Sequence, residues 1–285
     1  MKVMKGQPFP LGISEYEDRI NFAVSVSEGK CAKLLLYTEV GAEPVKEVDL
    51  HQSMGAVYCV SLSEVEKEIA YYNYQIDEKI FLDPYVKAIA GKHLWGEEKD
   101  IKKHEICGKI HVDKYNWEND RPLRIAYEDV IAYSFHVRGF TKDMHSDVQA
   151  KGTFEGVIEK IPYLSELGIN QVQCMPVYEF EENMDPVNYW GYGPAYYFAP
   201  KNGYSNIGDG VKSLKDMVKA LHKAGIEVVL EMPFSEGLTG QMILDCLRFY
   251  VSEYHIDGFI CNHMNISIEM LLSDPYLKGT KIMKH

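Results

Sequence analysis

The chain has 285 residues, 46% of them hydrophobic and 25% charged, which suits a small domain beside a larger one or a single large α/β domain. Its formal net charge of −12 argues against nucleic acid and against anionic membrane surfaces as partners. The opening "MKVMKGQPFPLG" lacks the apolar core of a signal peptide and no run approaches the ~18 apolar residues of a membrane span, so no membrane association and a cytoplasmic location are expected. Cys31, Cys59, Cys107, Cys174, Cys246 and Cys261 are scattered without a Cys-x-x-Cys pair. They read as small buried hydrophobes of a reducing compartment, and neither a metal nor a cofactor is expected.

Up to about Tyr85 the grammar is β. "RINFAVSV" (19–26) alternates, "AKLLLYTEV" (32–40) is strand-like, "AVYCVSL" (56–62) alternates again, and "IAYYNYQID" (69–77) sets aromatics at strand spacing. Gly, Glu and Pro clusters separate these short runs, as in an antiparallel sandwich. Residues 1–95 are therefore expected as a β-sandwich and 96–125 as a linker, because "WGEEKDIKKHE" (95–105) is dominated by charge.

From Val130 strand and helix patterns alternate. "VIAYSFHV" (130–137) is an apolar strand. "TFEGVIEKIPYLSELG" (153–168) carries Thr153 as N-cap and Gly168 as stop signal. "INQVQCMPV" (169–177) is the second strand, and "GVKSLKDMVKALHKAG" (210–225) places Leu214, Met217, Val218 and Leu221 on one helical face. "IEVVLEM" (226–232) is continuous enough to be buried on both sides. "QMILDCLRFYVSEY" (241–254) is helical, "IDGFICN" (256–262) is the fourth strand, "SIEMLLSDP" (267–275) a short helix, and "TKIMKH" the start of a fifth strand. Repeated β-α units imply a parallel sheet, and the absence of Gly-x-Gly-x-x-Gly after the first strand disfavours dinucleotide binding. The expected fold class is multidomain β plus α/β, an N-terminal β-sandwich followed by the first half of a (β/α)₈ TIM-type barrel over 126–285, strands 1 to 5.

Four stretches, "VIAYSFHVRGFT", "KGTFEGVIEKIPYLSELGINQVQCMPVYEF", "NYWGYGPAYYFAPKNGYS" and "CLRFYVSEYHIDGF", resemble the α-amylase superfamily, glycoside hydrolase family 13, in its isoamylase, pullulanase and glycogen-debranching branch. "GQPFPLGISEYEDRINFAVSV" with "LDPYVKAI" is similar to the sandwich that precedes the barrel in that branch, carbohydrate-binding module family 48. The resemblance covers almost the whole chain. It implies retaining hydrolysis or transfer at an α-glucosidic bond, with an Asp nucleophile ending strand four, a Glu acid/base ending strand five and a stabilising Asp after strand seven. The two reacting carboxyl groups must lie about 5 Å apart across the anomeric centre.

Carried over position by position, that pattern fails at the reacting centre. The family's Gly-Phe-Arg-x-Asp reads Gly258, Phe259, Ile260, Cys261, Asn262, so Ile260 replaces the arginine and Asn262 the nucleophile. The strand-three motif Asp-x-x-x-Asn-His reads Glu231, Met232, Pro233, Phe234, Ser235, Glu236. The acid/base would fall at about His285. Asp257 lies at the opposite end of the fourth strand and His263 reads as solvated, so neither is a substitute. "NYWGYG" persists: Asn188, Tyr189, Trp190 and Tyr192 match the loop that holds sugar, with Tyr192 at the stacking position. Aromatic faces suit the apolar C–H patch of a pyranose; the alternative, that Trp190 and Tyr192 only pack the barrel mouth, stays open.

The expected function is a non-catalytic relative that binds α-1,4/α-1,6-glucan or maltooligosaccharide. One alternative is the front part of an active debranching hydrolase whose remaining catalytic residues lie beyond His285; another is a protein-interaction scaffold. An open half-barrel with uncovered apolar side chains is expected to self-associate.

Overall fold

Alternation in "RINFAVS" sends Ile20, Phe22 and Val24 to one side of the Arg19–Ser25 strand, which pairs antiparallel with Val57–Ser63 so that Phe22 lies opposite Val60. The computed structural model describes residues 1–26, 31–112, 114–262 and 264–284. The chain divides into two compact units, Met1–Lys92 with Glu97–Asp113 and His93–Gly96 with Lys114–His285. In the first unit one antiparallel sheet runs Lys2–Lys5, Val57–Ser63, Arg19–Ser25, Gly12–Glu15, with His51–Met54 also on Val57–Ser63. A second runs Ile89–Ala90, Cys107–Lys109, Tyr71–Ile76, Ala32–Tyr37, Lys46–Asp49, with Lys79–Phe81 also on Tyr71–Ile76. Phe22, Val24, Val60 and Leu62 of one sheet and Leu34, Leu36, Tyr72 and Tyr74 of the other share a single core.

The expected linker is divided between the units. Cys107–Lys109 is a strand of the first unit, bonded to Ile89–Ala90 and to Tyr71–Tyr72. A Cβ on Gly108 would meet the Tyr72 ring at 2.6 Å, so this pairing needs glycine. The charges upstream mask a strand too short to show a period of its own. Trp95, by contrast, belongs to the second unit, where it stacks on Tyr204 and meets His136, Phe180 and Tyr189 edge-on.

The second unit is built on a five-stranded parallel sheet in the order Ala132–Phe135, Gln171–Cys174, Glu227–Pro233, Gly258–Asn262, Lys281–Lys284. Helix Gly210–Lys223 starts where Asp209 accepts from Lys212 N (3.0 Å) and buries Leu214, Met217, Val218 and Leu221. Helix Gly240–Tyr254 starts where Thr239 accepts from Met242 N (3.1 Å) and ends on His255 in the left-handed region. The single helix expected over 153–168 is two, Phe154–Glu159 and Ile161–Glu166. Pro162 is the reason: it has no N–H to donate to the Ile158 carbonyl and its ring crowds that carbonyl. Thr153 caps the first helix at Gly156 N (3.3 Å). The unanticipated element is an antiparallel hairpin, Tyr178–Phe180 with Ala195–Pro200, whose connecting loop carries "NYWGYG". Among the described residues no helix is long and apolar enough to cross a membrane.

Residues paired in a parallel ladder share a face of the sheet. Val172 and Cys174, then Val228, Leu230 and Met232, then Phe259 and Cys261 form one face, all buried. The opposite face, starting from Ser134 and Gln173, is polar along its lower part. Ser134 donates to Gln173 (2.7 Å), Gln173 to Gln171 (3.2 Å), Gln171 to Glu227 (2.9 Å), and Lys281 also bonds Glu227. The same face also carries Val229, Ile260 and Met283 nearer the C-terminal ends of the strands, so the inward layer expected to be apolar is polar in its lower part and mixed above it.

Candidate functional site

At the C-terminal ends of the strands Glu227–Pro233, Gly258–Asn262 and Lys281–Lys284 opens a groove of about 1310 Å³. Glu231, Ser235, Glu236, Asn262 and Lys284 contribute its polar lining, and Tyr192 stands on its wall. In open or barrel-forming parallel sheets this end is where loops converge on ligands. In the sheet register Asn262 pairs with Pro233 and Ile260 with Glu231.

The wall is held by the hairpin. Asn188 is the organiser of its loop: its Oδ1 accepts from Gly191 N (3.0 Å) and its Nδ2 donates to Tyr192 O (2.9 Å). Gly191 adopts φ +81, and a Cβ there would strike the Phe180 ring at 2.6 Å, so only glycine fits this turn. Tyr192 remains 44% exposed and donates to Glu231 Oε1 at 3.0 Å. Burial, then that carboxylate, pushes its phenol up to about 12. Tyr197 fixes the floor: its hydroxyl donates to Gly193 O (3.0 Å), accepts from Ser235 N (2.8 Å) and lies 2.7 Å from Ser235 Oγ.

The residues singled out from sequence do not all meet. Tyr192, Glu231, Ser235, Glu236 and Asn262 line the groove together. Ile260 is not among the lining residues. Trp190 is 48% exposed but is outside the lining, edge-on to Tyr189 (5.1 Å) and His136 (5.7 Å). Tyr189 stacks on His136 at 4.4 Å, and Asn188 works within its own loop. His263 and His285 lie outside the described residues. Sequence reading missed Tyr197, which bonds Gly193 and Ser235, and missed Met264, Ile266 and Glu269, which line the groove.

The opposite end of the sheet is wired differently. His222 Nε2 faces Asp257 Oδ2 at 2.8 Å, and its Nδ1 faces both oxygens of Asp120 at 3.0 and 3.1 Å. His255 Nδ1 also meets Asp120, at 2.6 Å, and its ring stacks on Trp117 at 4.0 Å. Asp257 takes Val228 N as well, at 2.8 Å. Burial alone would lower the His222 pKa, but the two carboxylates outweigh it and raise it. Asp257, set aside from sequence as a substitute for the nucleophile, is part of this buried cluster.

The family description "Alpha amylase, catalytic domain" matches residues 138–235. Isoamylase 1, chloroplastic, of Oryza sativa subsp. japonica is 29% identical across 90% of this chain and 42% of that protein. The glycogen operon protein GlgX homolog of Haemophilus influenzae is 26% identical across 89% of this chain and 49% of that protein. Pullulanase from Bacillus acidopullulyticus superposes with a TM-score of 0.79 at 23% identity, over 97% of this chain and 41% of that one. The chain spans between 38% and 49% of the length of the curated relatives it matches. Over nine-tenths of its length, in both units, the chain is similar to isoamylases and GlgX homologs, and over residues 138–235 it matches the α-amylase catalytic-domain family.

Proposed function

We propose that this chain is a non-catalytic, α-glucan-binding member of that family, built as a carbohydrate-binding module family 48-like sandwich followed by the first half of a (β/α)₈ barrel. The reading rests on one observation above others. The residue ending the Gly258–Asn262 strand at the groove is an amide, while an aromatic ring remains on the groove wall. An amide carries no negative charge, forms no glycosyl ester and gives an oxocarbenium ion no anionic partner. Loss of a covalent nucleophile costs on the order of 10⁴ in rate, above about 5 kcal/mol of transition-state stabilisation. Glu231 is engaged by Tyr192, which leaves the ring fixed beside the open volume where a sugar face can lie on it. The ligand is an α-1,4/α-1,6-glucan or maltooligosaccharide. The six cysteines are unpaired, a state that the reducing cytoplasm maintains.

A second reading, the front part of an active debranching hydrolase, is favoured by the chain's coverage of under half of its relatives. Asn262 counts against it, because that residue lies within this chain whatever accompanies it. The deciding experiment pairs a reducing-sugar assay on pullulan and amylopectin with calorimetric titration of maltohexaose. Binding without hydrolysis is expected. Hydrolysis that disappears on mutating a groove residue of this chain would overturn the reading, and absence of both would favour a protein-interaction scaffold.

A further inference from the structure

The hairpin that carries Tyr192 is tied at its base by a cation outside the groove. Lys201 follows the Ala195–Pro200 strand and is fully buried. Its ammonium donates to Glu179 Oε1 (2.8 Å), Glu182 Oε2 (2.9 Å) and the Phe180 carbonyl (2.9 Å). An ammonium has three protons, and these three bonds use them all. The same Nζ sits 4.0 Å from the centre of the Phe180 ring and 5.3 Å from that of Trp95, a desolvated arrangement in which cation–π attraction is at its stronger end.

The bonds continue into the loop. Glu182 Oε1 accepts from Gly96 N (2.7 Å), and the Glu182 carbonyl accepts from Asn188 N (3.1 Å). Asn188 then holds Gly191 N and Tyr192 O, and Tyr192 reaches Glu231. Lys201 thus binds the strand on one side of the loop, the first residues beyond it, and through Glu182 the start of "NYWGYG". Charge-assisted bonds in a dry setting are about twice as strong as neutral ones. Lys201 is the bond donor that Glu179 and Glu182 share, and removing it breaks both ion pairs at once.

We propose that Lys201 is the positioning residue of the Tyr192 loop: it sets, from outside the groove, where the stacking ring stands on the groove wall. The assignment of glucan to that ring rests on the proposed function above; the positioning claim concerns the loop itself and is read separately.

The test combines hydrogen–deuterium exchange with maltohexaose titration in the full chain and in Lys201→Met. Exchange of the Asn188 and Gly191 amides is expected to accelerate at least ~10-fold, while amides of the Glu227–Pro233 strand keep their wild-type rates, and maltohexaose affinity should fall about tenfold. A purely structural role would instead raise exchange throughout the unit. Should Lys201→Met fail to fold, the triple change Lys201→Met, Glu179→Gln, Glu182→Gln removes Lys201 together with both carboxylates it bonds, and the same loop-confined acceleration is expected from it. Loop amides at wild-type rates in a folded variant, or acceleration shared equally by the sheet, would overturn the proposal. If the wild type binds no maltohexaose, the glucan reading falls while the exchange result still decides the role of Lys201.

Discussion

The two ends of the parallel sheet use polar residues in opposite ways. At the N-terminal end His222, His255, Asp120 and Asp257 bond to one another, and Glu227 is held by Lys281, Gln171 and the Ile125 amide. At the C-terminal end Glu231, Glu236, Asn262 and Lys284 border about 1310 Å³ of open groove. A buried charge is tolerated when it is paired and bonded, and is severely destabilising once its partner is removed. The lower end therefore serves stability, and the upper end is the groove where we propose that a ligand binds. The two should respond to mutation independently.

The largest effect is expected at the lower end. His222→Leu leaves Asp120 and Asp257 in a buried cluster without the ring between them, and should cost on the order of 3–5 kcal/mol in urea unfolding. Maltohexaose affinity of the folded fraction should be unchanged. A variant that loses affinity while keeping its unfolding midpoint would dissolve the contrast between the ends.

His136 and His222, both buried, should also titrate in opposite directions. His136, just past the Ala132–Phe135 strand at the upper end, accepts from Gly139 N on Nδ1 (3.0 Å) and meets Tyr204 OH on Nε2 (2.8 Å). Burial lowers its pKa from 6.5 to about 4. Its contribution is thus present above pH 6.5 and is lost as pH falls toward 4, a loss of up to about 3 kcal/mol. For His222 the folded pKa is raised, so its contribution is complete below about 6.5 and declines as pH rises through the folded value. Imidazole shifts followed by NMR should show His136 neutral at pH 5.5 and His222 titrating above the ordinary histidine value. The reverse order would mean that the two environments have been misassigned.

A smaller effect is expected from the groove wall. Tyr192→Ala should weaken maltohexaose by about 1–2 kcal/mol, the range for a lost stacking ring, whereas Tyr192→Phe, which keeps the ring and loses only the bond to Glu231, should cost less. Equal losses in both variants would shift the weight from stacking to that hydrogen bond. The smallest effect expected is none at all. Asn262→Asp restores a carboxylate at the end of its strand without restoring the arginine position, which remains Ile260, or the strand-three positions, which remain Ser235 and Glu236. Reducing-sugar release from pullulan by this variant should match the buffer blank, and measurable turnover would show that the other groove carboxylates already suffice.

Much of this molecule is written in local pattern. Alternation marks the strands around Phe22, Val60 and Tyr72, periodic apolar residues mark the helix of Leu214 and Leu221, and Thr153 stands at a helix start as its type predicts. The composition of "GFICN" and "NYWGYG" determines which chemical groups these stretches can offer, because each residue type brings its own charge and shape wherever the chain goes; the fold then takes Tyr192 and Asn262 to the groove. Tertiary structure alone decided the rest. The strand at Cys107–Lys109 exists because Tyr71 and Tyr72 pair with it. The hairpin brings Tyr192 to Glu231 across 39 residues, His222 finds Asp120 across 102, and His255 finds it across 135. Periodicity reports backbone preference and the need for burial over a few residues. Which distant group satisfies a buried charge depends on how the chain closes in space, and no local pattern carries that information.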